Sequence, residues 1–282
     1  MKRTILAIAI LSLTVVALAN RQLSIAHGCA MSAAARLCSD ASQRPKGDEL
    51  TEEFHQRYPL TATGLVSIAN INGDVHISVW DQNEVKVDAV KRAYQPEHLS
   101  EATIEVVNTA ESVRIKTKYP DQDRTSGERT RQNHPASVEY TLTIPRRARL
   151  SGAELVNGSL EVDGVEGDVR ASLVNGDVKA RGLAGEVKLS TVNGAVEANL
   201  ARMDEAKGVT LNSVNGSIVL VVPGGASADV KANTLHGGIT NDFGLTVHDG
   251  AYVGHDLTGQ IGSGGPRIRL NSVNGAIAIK RG

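Results

Sequence analysis

Five glycines of this 282-residue chain fall at a constant interval of nine: Gly158, Gly167, Gly176, Gly185 and Gly194. Aligned on them, the residues two before are Val156, Val165, Val174, Leu183 and Val192, and those two after are Leu160, Val169, Val178, Val187 and Val196. Four after stand Val162, Ala171, Ala180, Leu189 and Ala198, while the residue three after is always charged: Glu161, Arg170, Lys179, Lys188 and Glu197. An apolar set alternating with a charged one at period two is the pattern of a strand with one buried face. In the run "LVNGDVKA" this predicts an inward set of Val174, Val178 and Ala180, and an outward set of Asp177 and Lys179.

The residue before each glycine adds a longer period. It runs Asn157, Glu166, Asn175, Ala184 and Asn193, so asparagine returns every 18 residues, with two strand units per return. An internal period near 20 marks a solenoid, in which each coil buries its apolar face against the next. The expected coil has 18 residues, two short strands and two turns, and stacks at about 4.8 Å on its neighbour. Asn157, Asn175 and Asn193 then form a ladder, with Gly158, Gly176 and Gly194 supplying positive φ at the turn. The pattern continues at Asn215-Gly216, His236-Gly237 and Asn274-Gly275, with glycine intervals of 22, 21 and 38. The longer intervals imply loops inserted at corners, and the last implies two coils, the second without the Asn-Gly signature. A two-residue hairpin at each Asn-Gly is the alternative, but a plain antiparallel sheet has no need of asparagine every 18 residues.

Upstream, period-two alternation begins at Tyr58 and recurs through "LVSIANINGDVHISVW", "NEVKVDAVKRA", "TIEVVNTAESVRIKTKY" and "SVEYTLTIP". The stretch Pro120–Pro135 carries no large apolar side chain and reads as a loop; its Asp121 and Asp123 sit at the wrong offsets from Gly127 and Glu128 for a calcium loop. Aromatics make up 3% of the chain, which suits stacked short strands of Val, Ile, Leu and Ala.

The N-terminus reads as a targeting segment. Lys2 and Arg3 precede an apolar run, Thr4–Ala19, and Ala17-Leu18-Ala19 fits a small-x-small cleavage pattern. The run has 16 residues, short of the roughly 20 that span a bilayer. Residues 1–19 are therefore expected to be an export signal, or an N-terminal anchor helix if uncleaved. Residues 20–57 read as a polar linker, a short helix at most, and its Cys29 and Cys38 are candidates for one local disulfide in an oxidising compartment. Residues 58–282 form the strand-repeat domain, less regular over 58–150 and regular over 151–282.

"INGDVHISVWDQNEVKVDAVKRA", "VEYTLTIP", "VNGSLEVDGVEGDVRASLVNGDVKARGLAGEVKLSTVNG" and "GGPRIRLNSVNGAIAIK" together resemble the bacterial β-strand-repeat domain family labelled putative adhesin, a domain of unknown function. The resemblance runs from about Leu60 to the C-terminus. It implies an all-β, right-handed β-solenoid of about 18–22 residues per coil in an exported, envelope-associated protein, with no catalytic residues and no cofactor. A shared fold does not by itself establish function.

The side chains point the same way. Net charge is −1, from 30 basic and 31 acidic residues, so no overall field draws the chain to nucleic acid or to an anionic membrane. Membrane attachment is then expected only through an uncleaved N-terminal segment. Asp168, Asp177 and Glu186 each follow a repeat glycine on the outward face, where solvation and edge protection account for them. His248-Asp249 and His255-Asp256 are the remaining constellation that can gather a metal or a base–orienter pair; flanking glycines make them plain turns otherwise. No nucleophile elbow, phosphate loop or dinucleotide fingerprint occurs. The expectation is a non-enzymatic, adhesin-like interaction protein, periplasmic, cell-surface or secreted, with an envelope protein or polysaccharide as partner. A carbohydrate-active β-helix enzyme and an envelope-stress sensor component are the alternatives; the enzyme needs a groove of converging acids and bases.

Overall fold

The computed structural model describes residues 49–120, 136–203, 208–250 and 253–282. The expected export segment, Cys29, Cys38 and the loop at 121–135 lie outside the described residues. The described chain is all-β apart from one short helix.

It enters through β1 (Leu50–Pro59), and a first coil follows, β2 (Leu65–Asn72) and β3 (Val75–Trp80). Next come β4 (Glu84–Ala93), α1 (Pro96–Glu101) and β5 (Thr103–Thr109), then a coil of β6 (Ser112–Lys118) and β7 (Ser137–Pro145). Four regular coils succeed them. They are β8 (Arg149–Asn157) with β9 (Leu160–Asp163), β10 (Val169–Asn175) with β11 (Val178–Leu183), β12 (Val187–Asn193) with β13 (Val196–Leu200), and β14 (Val209–Asn215) with β15 (Ile218–Val222). The chain closes with β16 (Ala228–His236), β17 (Ile239–Asn241), β18 (Val247–Asp249), β19 (His255–Ile261), β20 (Arg267–Asn274) and β21 (Ile277–Arg281).

Each coil gives one strand to each of two sheets. The first sheet has the order β1-β4-β7-β3-β9-β11-β13-β15-β21-β17, and the second β18-β19-β16-β20-β14-β12-β10-β8-β2-β6-β5. Between coils the strands pair in parallel and in register: Val169, Ala171 and Leu173 of β10 face Val187, Leu189 and Thr191 of β12. The inward columns meet as one core, in which Val169, Val178, Ala180, Val187 and Val196 are fully buried. This is a solenoid-like stack, in which burial comes from neighbouring rungs.

Two features depart from the sequence expectation. The coils do not stack in chain order: β20–β21, last in sequence, pairs with β14–β15 on one side and β16–β17 on the other. Likewise β6–β7 lies on the far side of β2–β3 from β8–β9. The 38-residue interval from Gly237 to Gly275 therefore holds the antiparallel β18–β19 hairpin against β16 rather than a second coil. That hairpin blunts the end of the parallel stack, and the terminal coil fills the slot left behind it.

The other departure is β1. Residues 50–57 read as linker, yet they belong to a ten-residue strand paired antiparallel with β4. Such a strand at a sheet edge is solvated on most sides and needs no apolar alternation. Backbone pairing holds it, with cross-strand contacts His55–Asp88 at 2.7 Å, Lys91–Glu52 at 2.9 Å and Arg57–Glu84 at 3.0 Å. Only Phe54 and Tyr58 turn partly onto the core.

Candidate interaction face

The outward face of the second sheet is ordered in columns, because in-register parallel pairing sets equivalent residues side by side. Asn72, Asn157, Asn175, Asn193, Asn215 and Asn274 pair in sequence along the stack, and His236 takes the same position on the next rung. The side-chain amides link rung to rung. Asn157 donates to Asn72 and Asn175 to Asn157 at 2.9 Å; Asn193 donates to Asn175, Asn215 to Asn193 and Asn274 to Asn215 at 2.8 Å.

The corner after each asparagine is closed by glycine. Gly176 has φ +148°, and a Cβ there would fall on the Gly158 carbonyl of the neighbouring coil. Its N–H donates to the Asn193 carbonyl at 2.9 Å. Gly158, Gly194 and Gly216 share the positive φ, and a Cβ on Gly275 would likewise strike the carbonyl of the neighbouring corner glycine. From inside, Thr191 Oγ1 donates to the Gly176 carbonyl at 3.1 Å and Ser213 Oγ to that of Gly194 at 3.1 Å.

The residue before each asparagine is where the expected burial fails. Val174 was placed inward with Val178 and Ala180; the latter two are buried, but Val174 is 42% exposed. The same holds for Ile71, Val156, Val192, Val214, Val273 and Leu235, each between 39 and 44% exposed. Seven aliphatic side chains thus form one stripe along the stack, about 29 Å long at the spacing of adjacent strands. The two corners of a coil share the nine-residue glycine period but not the burial of the residue two before the glycine. At the other corner the equivalent Val165 and Leu183 are fully buried. At the Asn-Gly corner Leu173 already points inward, so the adjacent Val174 must point out. Two neighbouring apolar residues in one strand, Leu173-Val174, were the available signal.

Four residues back along the strands, a row of Arg170, Lys188, Arg269 and Lys231 is exposed, interrupted by Thr210; beyond Arg170 the position passes to Gly152 on β8 and Ser67 on β2 before Arg114 on β6. Glu186 bridges Arg170 at 3.2 Å and Lys188 at 2.7 Å, and these two cations hold its carboxyl below the usual carboxylate range. Arg114, Arg269 and Lys231 have no ion-pair partner among the described residues. Between the stripe and this row lie small polar side chains, Ser172, Ser190, Asn212 and Asn271, with the exposed Glu154 at the same position on β8.

The other predicted residues fall elsewhere. Asp177 Oδ1 accepts the Ala195 N–H at 2.7 Å, and Asp168 Oδ1 accepts the Glu186 N–H at 3.0 Å. These acids tie one coil's turn to the next. His248 pairs with Asp256 and Asp249 with His255 across the β18–β19 hairpin, where His255 Nδ1 lies 2.8 Å from Asp249 Oδ1. The Asp249 side chain is 86% exposed there. No group of three or more His, Cys, Asp or Glu able to hold a metal occurs among the described residues. A concavity of about 380 Å³ at a corner of the first sheet gathers Trp80, Asp81, Arg146, Arg147 and Glu166. Its acids are already paired, Asp81 with Arg146 at 3.1 Å and Glu166 with Arg202 at 3.8 Å.

A family model, Toastrack DUF4097, matches residues 153–280. Residues 153–280 form a Toastrack DUF4097 domain. The Toastrack domain holds six of the seven stripe residues, and Ile71 continues the stripe beyond it. No curated protein matches the chain. Among solved structures it is similar to a putative cell adhesion protein from Clostridium sporogenes, with 16% identity and a TM-score of 0.48 over 83% of this chain and 100% of that one. A putative adhesin from Bacteroides fragilis shares 13% identity at a TM-score of 0.39, over 82% of this chain and 97% of that one. A putative lipid binding protein from Parabacteroides distasonis shares 11% at 0.39, over 84% and 97%. At this distance nothing about ligand or activity carries over to the Toastrack domain.

Proposed function

We propose that this protein is exported and acts at the cell envelope as a non-enzymatic, adhesin-like interaction protein. Its solenoid is read as right-handed, the hand that strand–crossover–parallel strand connections adopt. The aliphatic stripe carries the reading: seven exposed side chains repeat on successive rungs at a position that contributes little to the core. Contiguous exposed apolar surface, rimmed by polar residues, marks interaction sites. The repeated acids support a scaffold, since Asp168 and Asp177 are engaged in coil-to-coil bonds. No helix among the described residues is long and apolar enough to cross a membrane, so retention at the envelope rests on a surface or on the N-terminal segment.

Fractionation of cells producing the full chain tests this. The protein is expected outside the cytoplasm and retained on envelope fractions, and Val174→Asp with Val192→Asp is expected to release it into the soluble fraction. Cytoplasmic recovery, or retention indifferent to the two substitutions, removes the reading.

A further inference from the structure

Resting on that reading of the stripe, we infer that the outward face of the second sheet docks on an anionic lipid bilayer. The stack sets two complementary rows on one face. Aliphatic side chains run along it for about 29 Å, and Arg170, Lys188, Arg269 and Lys231 run parallel about 13 Å away, four residues along each strand. The small Ser172, Ser190, Asn212 and Asn271 lie between over β10, β12, β14 and β20, and Glu154 on β8 is the carboxylate that takes this position at the next rung. A bilayer surface answers both rows at once: hydrocarbon takes the aliphatic edge, and anionic headgroups take the cations. The even charge balance of the whole chain conceals this, because Arg269 and Lys231 stand side by side on this face, and Arg114 at its other end, without ion-pair partners among the described residues.

A second copy fits less well. A two-fold axis along the strands lays stripe on stripe but also cation row on cation row. An axis along the stack joins only the stripes, burying seven side chains that are already more than half covered; stable dimers bury about 800 Å² per partner. An acidic protein partner satisfies the cations but has no evident reason to want a straight aliphatic line on every rung.

The test is flotation of the full chain with vesicles of phosphatidylcholine alone or containing about one-third phosphatidylglycerol. Every variant keeps the same N-terminal apolar segment, so differences between variants report the face. Binding is expected to need the anionic lipid and to fall as salt rises. Val174→Asp with Val192→Asp, and separately Lys231→Glu with Arg269→Glu, are each expected to lower the partition coefficient at least about tenfold. Lys280→Glu on the first sheet is expected to leave it unchanged. Should the aspartate pair prevent folding by circular dichroism, Val174→Thr with Val192→Thr and the charge-reversal pair carry the test. Binding independent of anionic lipid, or equal loss in Lys280→Glu, overturns the inference. So does a concentration-dependent dimer that the stripe substitutions dissociate while vesicle binding stays unchanged. If those substitutions abolish envelope retention while the wild type ignores anionic vesicles, the interaction reading stands and the lipid inference falls.

Discussion

The two sheets turn unlike faces to solvent, although the same coils build both. The first sheet answers charge with charge on neighbouring strands: His76 with Glu161 at 3.1 Å, Arg92 with Glu139 at 3.0 Å, Arg57 with Glu84 at 3.0 Å and His55 with Asp88 at 2.7 Å. The second sheet is ordered in columns, amide, then aliphatic, then mostly small polar, then mostly cationic, and in the cationic column Glu186 pairs with Lys188 and Arg170 while Arg269 and Lys231 have no ion-pair partner among the described residues. A face whose charges pair internally presents little to a partner, and exposed ion pairs add only about 0–1 kcal/mol each. A face of uniform rows presents a long one-dimensional pattern that only an extended or planar partner can match. The difference separates a solvated face from a presenting one within a single repeat.

That separation depends on corners that hold every rung in register, and the sharpest way to break it is at Gly176. Val in its place puts a branched side chain at φ +148° against the Gly158 carbonyl. We expect Gly176→Val to cost about 3 kcal/mol or more, read from a urea midpoint. Gly152 lies on the outward face of the second sheet, and a Cβ there meets nothing within 4 Å. Gly152→Val is expected to stay within about 0.5 kcal/mol of wild type. Equal costs for the two substitutions would mean that the corners do not lock the columns.

A finer test uses two valines four residues apart on either side of one corner. Val178→Thr buries a hydroxyl where the wild-type side chain is fully enclosed, a change of about 1–3 kcal/mol. Val174→Thr changes the same atoms on a side chain 42% exposed and is expected to move stability by less than about 0.5 kcal/mol. If Val174→Thr costs as much as Val178→Thr, the stripe belongs to the packing of the stack and not to a presenting face.

Much of this architecture was open to reading from period alone. The 18-residue return of asparagine places Asn157, Asn175 and Asn193 on successive rungs, and their amides meet at 2.8–2.9 Å. Periodicity reports what repeats locally, and it cannot report which strand a non-repeating end will pair with. The slotting of β20–β21 between earlier coils is a long-range choice, settled by where the β18–β19 hairpin blocks the stack. β1 escaped for a related reason: an edge strand held by backbone bonds and ion pairs carries no apolar alternation. The stripe was hidden by the alignment itself, which merged a corner where the apolar residue is buried, Val165, with one where it is exposed, Val174. The polar cluster at Asn70 left no period either. There Thr117 donates to Asn70 Oδ1 at 2.9 Å and meets the Tyr140 hydroxyl at 2.7 Å, while burial pushes the Tyr140 phenol up to about 12.

The smallest effect belongs to the first sheet and shows how its charges work. Asp88 accepts from His55 Nδ1 and Glu53 sits 3.1 Å from Nε2; the bond to Asp88 and then that to Glu53 raise the imidazole above its ordinary 6.5. A group whose folded value is raised adds stability that is fully present below the unfolded value and is lost as pH rises through the folded one. The stability difference between wild type and His55→Gln should therefore be present at about pH 5.5 and fade by about pH 8. Titration of the His55 ring by NMR should give a midpoint above 6.5, with Asp88→Asn lowering it more than Glu53→Gln does. A midpoint at or below 6.5 would mean that β1 is held by its backbone pairing without help from the ring. The first sheet's pairs would then shape a solvated surface without fastening the strand that closes it.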